Sequence, residues 1–168
     1  MEGSLMADPV SNKGPAGGGR RVAGVIMSIA AMITLVVWAS QVVNLTIIGY
    51  TGVPSIPGEW RPFVSMWNIA SDSPDALYQL GGNVALFLPL GLLLPLAWRT
   101  AFARLVPTLL TGLLLSSAIE ITQATVISGR VSTTDDVILN VLGTFLGWLL
   151  WRRLTRIPLC QPCVRRVV

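Results

Sequence analysis

Four apolar runs divide this chain, and each approaches the length of a bilayer crossing. They are Val22 to Val43 (with apolar character continuing to Ile48), Leu80 to Trp98, Leu105 to Ile127, and the shorter Val137 to Trp151. About 20 residues of helix cross the hydrocarbon layer. The fourth run therefore spans only with Asp136 and the flanking arginines at the two interfaces. The expected fold is all-α: a polytopic membrane protein, built as a four-transmembrane-helix bundle with a short interfacial helix in its first outer loop. Residues 1–21 are expected to form a disordered N-terminal tail, 22–151 the transmembrane domain, and 152–168 a basic tail.

A soluble fold is excluded by the arithmetic of burial. Of 168 residues, 52% are hydrophobic and 12% charged, about half the charge of a soluble domain. A chain this short cannot enclose that much apolar surface.

Lys and Arg set the expected orientation. Lys13, Arg20 and Arg21 precede the first run, and Arg99 and Arg104 separate the second and third. Arg152, Arg153, Arg156, Arg165 and Arg166 follow the fourth. Only Arg61 and Arg130 fall on the other side, beside Glu59, Asp72, Asp75 and Asp135. The positive-inside rule then places both termini in the cytoplasm. Topology accounts for the net charge of +4, and no basic cluster has the platform that nucleic-acid binding needs. The first run also resembles a secretory signal, with Val37 and Ala39 at cleavage-site positions. Continued apolar character through "QVVNLTIIGY" favours an uncleaved anchor.

In the first outer loop, "EWRPFVSMWNIA" places Trp60, Phe63, Val64 and Trp67 at i, i+3, i+4 and i+7, one helical face. Pro62 would stand in the first turn. Tryptophan favours the membrane boundary, so the expectation is a short helix at the outer leaflet, the alternative being a loop with anchoring aromatics.

Inside the apolar runs, small and polar residues form stripes. Asn83, Phe87, Gly91 and Pro95 share one face of the second helix; Gly112, Ser116, Glu120 and Gln123 one face of the third; Asp136, Asn140, Gly143 and Gly147 one face of the fourth. Gly91, Gly112, Ser116, Gly143 and Gly147 are expected to let helices approach closely. Polar groups facing lipid would be costly, so these faces turn inward. At about 1.5 Å per residue, Asn83, Glu120, Gln123, Asp136 and Asn140 reach one depth near the outer boundary. Arg130 follows in the connecting loop. That convergence marks a candidate binding site of Asn83, Glu120, Gln123, Arg130, Asp136 and Asn140. Glu120 and Asp136 are candidates for acid and base, and Arg130 for a planar fork on a phosphate or carboxylate. The same residues could instead form a ligand-free hydrogen-bonded network that fixes helix register.

Other chemistry finds little support. The chain has no histidine, no P-loop, no G-x-S-x-G and no dinucleotide fingerprint. Cys160-x-x-Cys163 supplies only two of the four ligands of a zinc site and lacks a thioredoxin-like context. No metal or other cofactor is expected. Asn44-Leu45-Thr46 matches a glycosylation sequon at a helix end, where it reads as accidental.

Taken in order, "RPFVSMW", "LGGNVALFLPLGLLLPL", "AIEITQ" and "GRVSTTDDVILNVLGTFLGWLL" resemble the VanZ-like membrane proteins. The family's N-x-x-L-F-x-P-L-G signature falls on Asn83, Phe87, Pro89 and Gly91, and its E-x-x-Q on Glu120 and Gln123. Its Arg corresponds to Arg130, and its D-x-x-x-N-x-x-G to Asp136, Asn140 and Gly143. The resemblance covers roughly Trp60 to Trp151, and departs at Thr133, near which many relatives carry an acid. It implies a multi-pass protein of the bacterial cytoplasmic membrane, linked to glycopeptide (teicoplanin) resistance and the cell envelope.

Three functions remain in view. The favoured one is a non-enzymatic envelope protein that binds or helps move a lipid-linked precursor or a glycopeptide-like molecule, with membrane lipids as partners. The second is a membrane enzyme acting on a lipid phosphate or envelope precursor through Glu120, Asp136 and Arg130. The third is a structural partner subunit without a ligand.

Overall fold

The computed structural model describes residues 16–48, 61–72, 76–126 and 133–156. Within them run α1 (Ala16–Val43), continued by a π-helical turn at Asn44–Ile48, then α2 (Val64–Asp72), α3 (Ala76–Ala97), α4 (Arg99–Phe102), α5 (Leu105–Val126) and α6 (Thr134–Leu154). Four segments are long and apolar enough to cross a membrane: Arg21–Thr46, Leu80–Ala97, Leu105–Thr125 and Thr134–Leu154. The protein is an all-α polytopic bundle.

The helix ends differ from expectation in three instructive ways. α1 begins at Ala16, six residues before Val22 and inside the segment expected to be a disordered tail. α6 begins at Thr134 rather than Val137, so Asp135 and Asp136 form its first turn. Acids are favourable there because they face the positive end of the helix dipole. α2 begins at Val64, so Pro62 and Phe63 precede it rather than opening it. Phe63 has φ 69°, a left-handed value that ends helical continuity on its N-terminal side. Trp60, the first member of the expected face, lies outside the described residues. Phe63 and Trp67 are 64% and 74% exposed, as suits aromatics at a membrane boundary.

Side-chain bonds between helices establish an up-down-up-down order. Ser28 donates to the Leu96 carbonyl at 3.2 Å and Trp38 Nε1 to the Leu86 carbonyl at 2.6 Å, which lays α1 antiparallel to α3. Asn140 bonds to Ser116, and Trp148 Nε1 to the Ala103 carbonyl at 3.3 Å, which fixes α6 against α5 and the α4–α5 turn. α3 carries Pro89 and Pro95 in its interior. Each proline removes one backbone donor, and prolines are tolerated within membrane helices. Trp38, which donates to the Leu86 carbonyl one turn before Leu90, also packs edge-on to Phe87 with ring centroids 5.8 Å apart.

α3 and α6 form the closest pair in the bundle. A methyl group at Gly91 would overlap the Thr144 carbonyl oxygen, at Gly143 the Val84 carbonyl oxygen, and at Gly147 the Leu88 carbonyl oxygen. The two backbones thus meet at three glycines. A methyl group at Gly112 would stand 2.5 Å from Thr144 Oγ1, so α5 packs its glycine on a side chain of α6 rather than on its backbone. Lipid tails are as apolar as leucine, so a membrane bundle gains its cohesion from such packing and from interhelical hydrogen bonds. Burial follows the same logic. Val22, Ile26, Ile33, Val36, Leu114 and Ile121 are exposed on the outside, while Ser116, Glu120, Gln123, Asn140 and Thr144 are buried.

Candidate functional site

The site is organised by the first turn of α6. Thr133 is its N-cap, extended at φ −129° and ψ 144°, and its Oγ1 accepts the Asp136 N–H at 3.1 Å. Thr133-x-x-Asp136 has the form of a capping box, in which the acid ordinarily reaches back to the cap's own N–H. Here Thr133 N–H is donated to Glu120 Oε2 at 3.1 Å. A carboxylate from α5 fills the role the box gives to its own acid. Asp136 Oδ1 accepts a hydrogen bond from Asn83 Nδ2 of α3. One turn of α6 is thereby joined to α3 and α5 through three of the sequence-predicted residues.

Asp135 points elsewhere. It is 1% exposed, and its two oxygens accept the N–H groups of Phe63 at 2.5 Å and Met66 at 2.7 Å. These are orphan donors at the start of α2, which a carboxylate satisfies well. Holding phenylalanine at positive φ costs about 1–2 kcal/mol, and two charge-assisted bonds can offset it.

Further polar groups flank this turn, Asn140, Ser116 and Thr144 toward the middle of the bundle and Gln123 toward the C-terminal end of α5. Asn140 Nδ2 donates to Ser116 Oγ at 2.8 Å, and Thr144 Oγ1 to the Asn140 carbonyl at 3.0 Å. Gln123 Nε2 donates to the Thr46 carbonyl at 3.0 Å, in the π-helical turn that ends α1. Thr46 Oγ1 in turn donates to the Val42 carbonyl at 2.6 Å. Glu120 is 3% exposed, Gln123 0% and Asn140 4%. Two acceptors among these groups, Gln123 Oε1 and Asn140 Oδ1, are buried without a partner. A buried polar atom left unpaired costs on the order of 1–3 kcal/mol.

The structure thus joins Asn83 to Asp136, Glu120 to Thr133, Asn140 to Ser116 and Gln123 to Thr46. Arg130 lies outside the described residues, as do Cys160 and Cys163. Among the described residues, no group of three Asp, Glu, Cys or His side chains could hold a metal ion. Sequence reasoning missed Asp135, Thr133 and Thr46. Thr133 carried a legible signal, the Thr-x-x-Asp spacing to Asp136 at the start of an apolar run, and Asp135 the place of an acid in the first turn of a helix. Thr46 carried none, because its contribution is a backbone carbonyl.

The VanZ/LLP1 family model matches residues 25–156. The chain belongs to the VanZ/LLP1 family. The matched segment begins within α1 and ends two residues after α6, so it takes in three spans whole and all but the first four residues of the Arg21–Thr46 span. That extends the resemblance read from the sequence, which began only at Trp60. No curated protein and no solved structure matches this VanZ/LLP1 protein.

Proposed function

We propose that the polar end of the bundle binds the hydroxyl-, amide- or amine-bearing part of a lipid-linked envelope precursor or glycopeptide-like molecule, and holds or helps move it without chemical change. The observation that carries this reading is the pair of buried, unpartnered acceptors, Gln123 Oε1 and Asn140 Oδ1. They accompany the carboxylates of Glu120 and Asp136. Acceptors are complemented by N–H and O–H groups, which sugars and peptides supply in number. The membrane setting favours a molecule with a lipid anchor, since the site's helices stand in the bilayer. The positive-inside rule places this end on the outer face of the bacterial cytoplasmic membrane, with both termini in the cytoplasm. A link to teicoplanin resistance is what the family resemblance implies, and it belongs to the same proposal.

The test is gentle purification of the full chain from its membrane, followed by mass spectrometry of the co-purifying lipids. Enrichment of a glycosylated or peptide-bearing lipid over the bulk membrane supports the reading. A composition equal to the bulk membrane overturns it.

A second reading is favoured by the interhelical bonds themselves. Glu120–Thr133, Asn83–Asp136, Asn140–Ser116 and Gln123–Thr46 would fix helix register with no ligand at all. The two readings part at Glu120→Gln. An amide oxygen can still accept the Thr133 N–H, so register survives, whereas a ligand that needs the charge is lost.

A further inference from the structure

At the opposite end of the bundle, a cavity of about 180 Å³ lies between α1, the α3–α4 junction and α6. Its wall includes Met27 of α1, Pro95 and Leu96 of α3, Arg99 and Thr100 of α4, and Trp151 of α6. Three features distinguish it from a packing defect. Trp151 is 6% exposed, and its Nε1–H is buried without a hydrogen-bond partner. Arg99 is half-buried, and burial lowers its pKa from the ordinary arginine value; the guanidinium nonetheless remains a cation. The carboxylates with described side chains, Glu120, Asp135 and Asp136, all belong to the other end, so nothing acidic stands on this wall.

An apolar wall with a cation, a hydroxyl and an indole N–H calls for an anion attached to something apolar. We propose that this cavity is a phospholipid site, in which Arg99, Thr100 and Trp151 hold the phosphodiester of a lipid headgroup. Its volume decides how much of the lipid enters. It is smaller than the roughly 300 Å³ at which pockets for drug-sized ligands begin. Only the headgroup fits inside, and the acyl chains lie along the apolar exterior of the bundle. Trp98, 47% exposed and adjacent to Arg99, directly follows the Leu80–Ala97 span, the position in sequence that tryptophan favours at a membrane boundary. The site is independent of the polar end and of any ligand bound there.

Native mass spectrometry of the detergent-purified full chain tests it, with dioctanoylphosphatidylglycerol, dioctanoylglycerol and inorganic phosphate as separate probes. The phospholipid is expected to bind once per chain with measurable affinity, and the other two weakly or not at all. Arg99→Gln should weaken phospholipid binding by at least about tenfold, since charge-assisted bonds are the strong ones. Arg99→Lys should retain part of it. Trp151→Phe keeps the ring and removes the N–H, so a loss of several-fold is expected. Arg153→Gln, an exposed cation on the same end, should bind as the wild type does. Equal binding by Arg99→Gln or by Trp151→Phe at unchanged melting temperature would overturn the site. Equal affinity for inorganic phosphate, or for dioctanoylglycerol, would overturn the phospholipid assignment.

Discussion

Glu120 of α5 accepts the backbone N–H of Thr133, the residue that caps α6, at 3.1 Å. The bond is unusual in its ownership. A helix start that would ordinarily be capped from within its own first turn is completed by a carboxylate from another helix. The start of α6 is therefore tied to α5 by a side chain that is 3% exposed, in addition to the Asn140–Ser116 and Trp148–Ala103 bonds further along. Truncation to alanine should leave the Thr133 N–H without this partner and cost about 1–3 kcal/mol. Thermal unfolding of Glu120→Ala in detergent, compared with the wild type, measures that loss.

The glycine contacts give a second expectation. Gly147 sits where a side chain would run into the Leu88 carbonyl and the α3 backbone. Gly147→Leu should separate α3 from α6, with a cost at or above the 1–3 kcal/mol typical of overpacking. Leu146, 37% exposed on another face, should tolerate alanine with little change. The relative melting temperatures of the two variants in detergent check this, and equal values would remove the assignment.

Asp135 yields a local prediction. Its carboxylate caps α2 from α6, so Asp135→Ala should release the first turn of α2 at a cost of about 0.5–2 kcal/mol, the usual worth of a cap. Amide hydrogen exchange should rise over residues 64–72. The centres of α5 and α6, held by Gly112, Asn140 and Thr144, should keep their protection. Unchanged exchange in α2 would show that its packing on α3 and α6 suffices.

The charge asymmetry gives a topological prediction. Ten of twelve Lys and Arg residues lie on one side of the four spans, so Cys160 and Cys163 are expected in the cytoplasm. A membrane-impermeant thiol reagent should leave both unlabelled in intact cells and label them after permeabilisation. Labelling of intact cells would refute the orientation.

The membrane bundle itself was legible in the sequence because run length and small-residue stripes report on local, periodic physics. The burial of Glu120, Gln123 and Asn140 followed from the cost of facing lipid. What escaped was the pairing. Nothing in the spacing of Asn83 and Asp136 says that they bond to each other, since that depends on how far two helices slide. The start of α2 was misplaced because its N-terminal side is set by Phe63 at positive φ, held by an acid 72 residues away. Thr46 was invisible because a carbonyl carries no side-chain signature. The cavity beside Arg99 was likewise hidden, because a void is a property of packing and not of any residue.

The central claim is that the Glu120 carboxylate serves a ligand as well as the register of α6. The most direct measurement compares wild type and Glu120→Gln, purified side by side, for melting temperature and for co-purifying glycosylated or peptide-bearing lipid by mass spectrometry. Because glutamine still offers an oxygen to the Thr133 N–H, the account predicts nearly equal melting temperatures and a loss of the bound lipid of about tenfold or more, the scale of a lost charge-assisted bond. Equal lipid content in the two proteins would contradict it and leave Glu120 as a residue that only holds the helices in register.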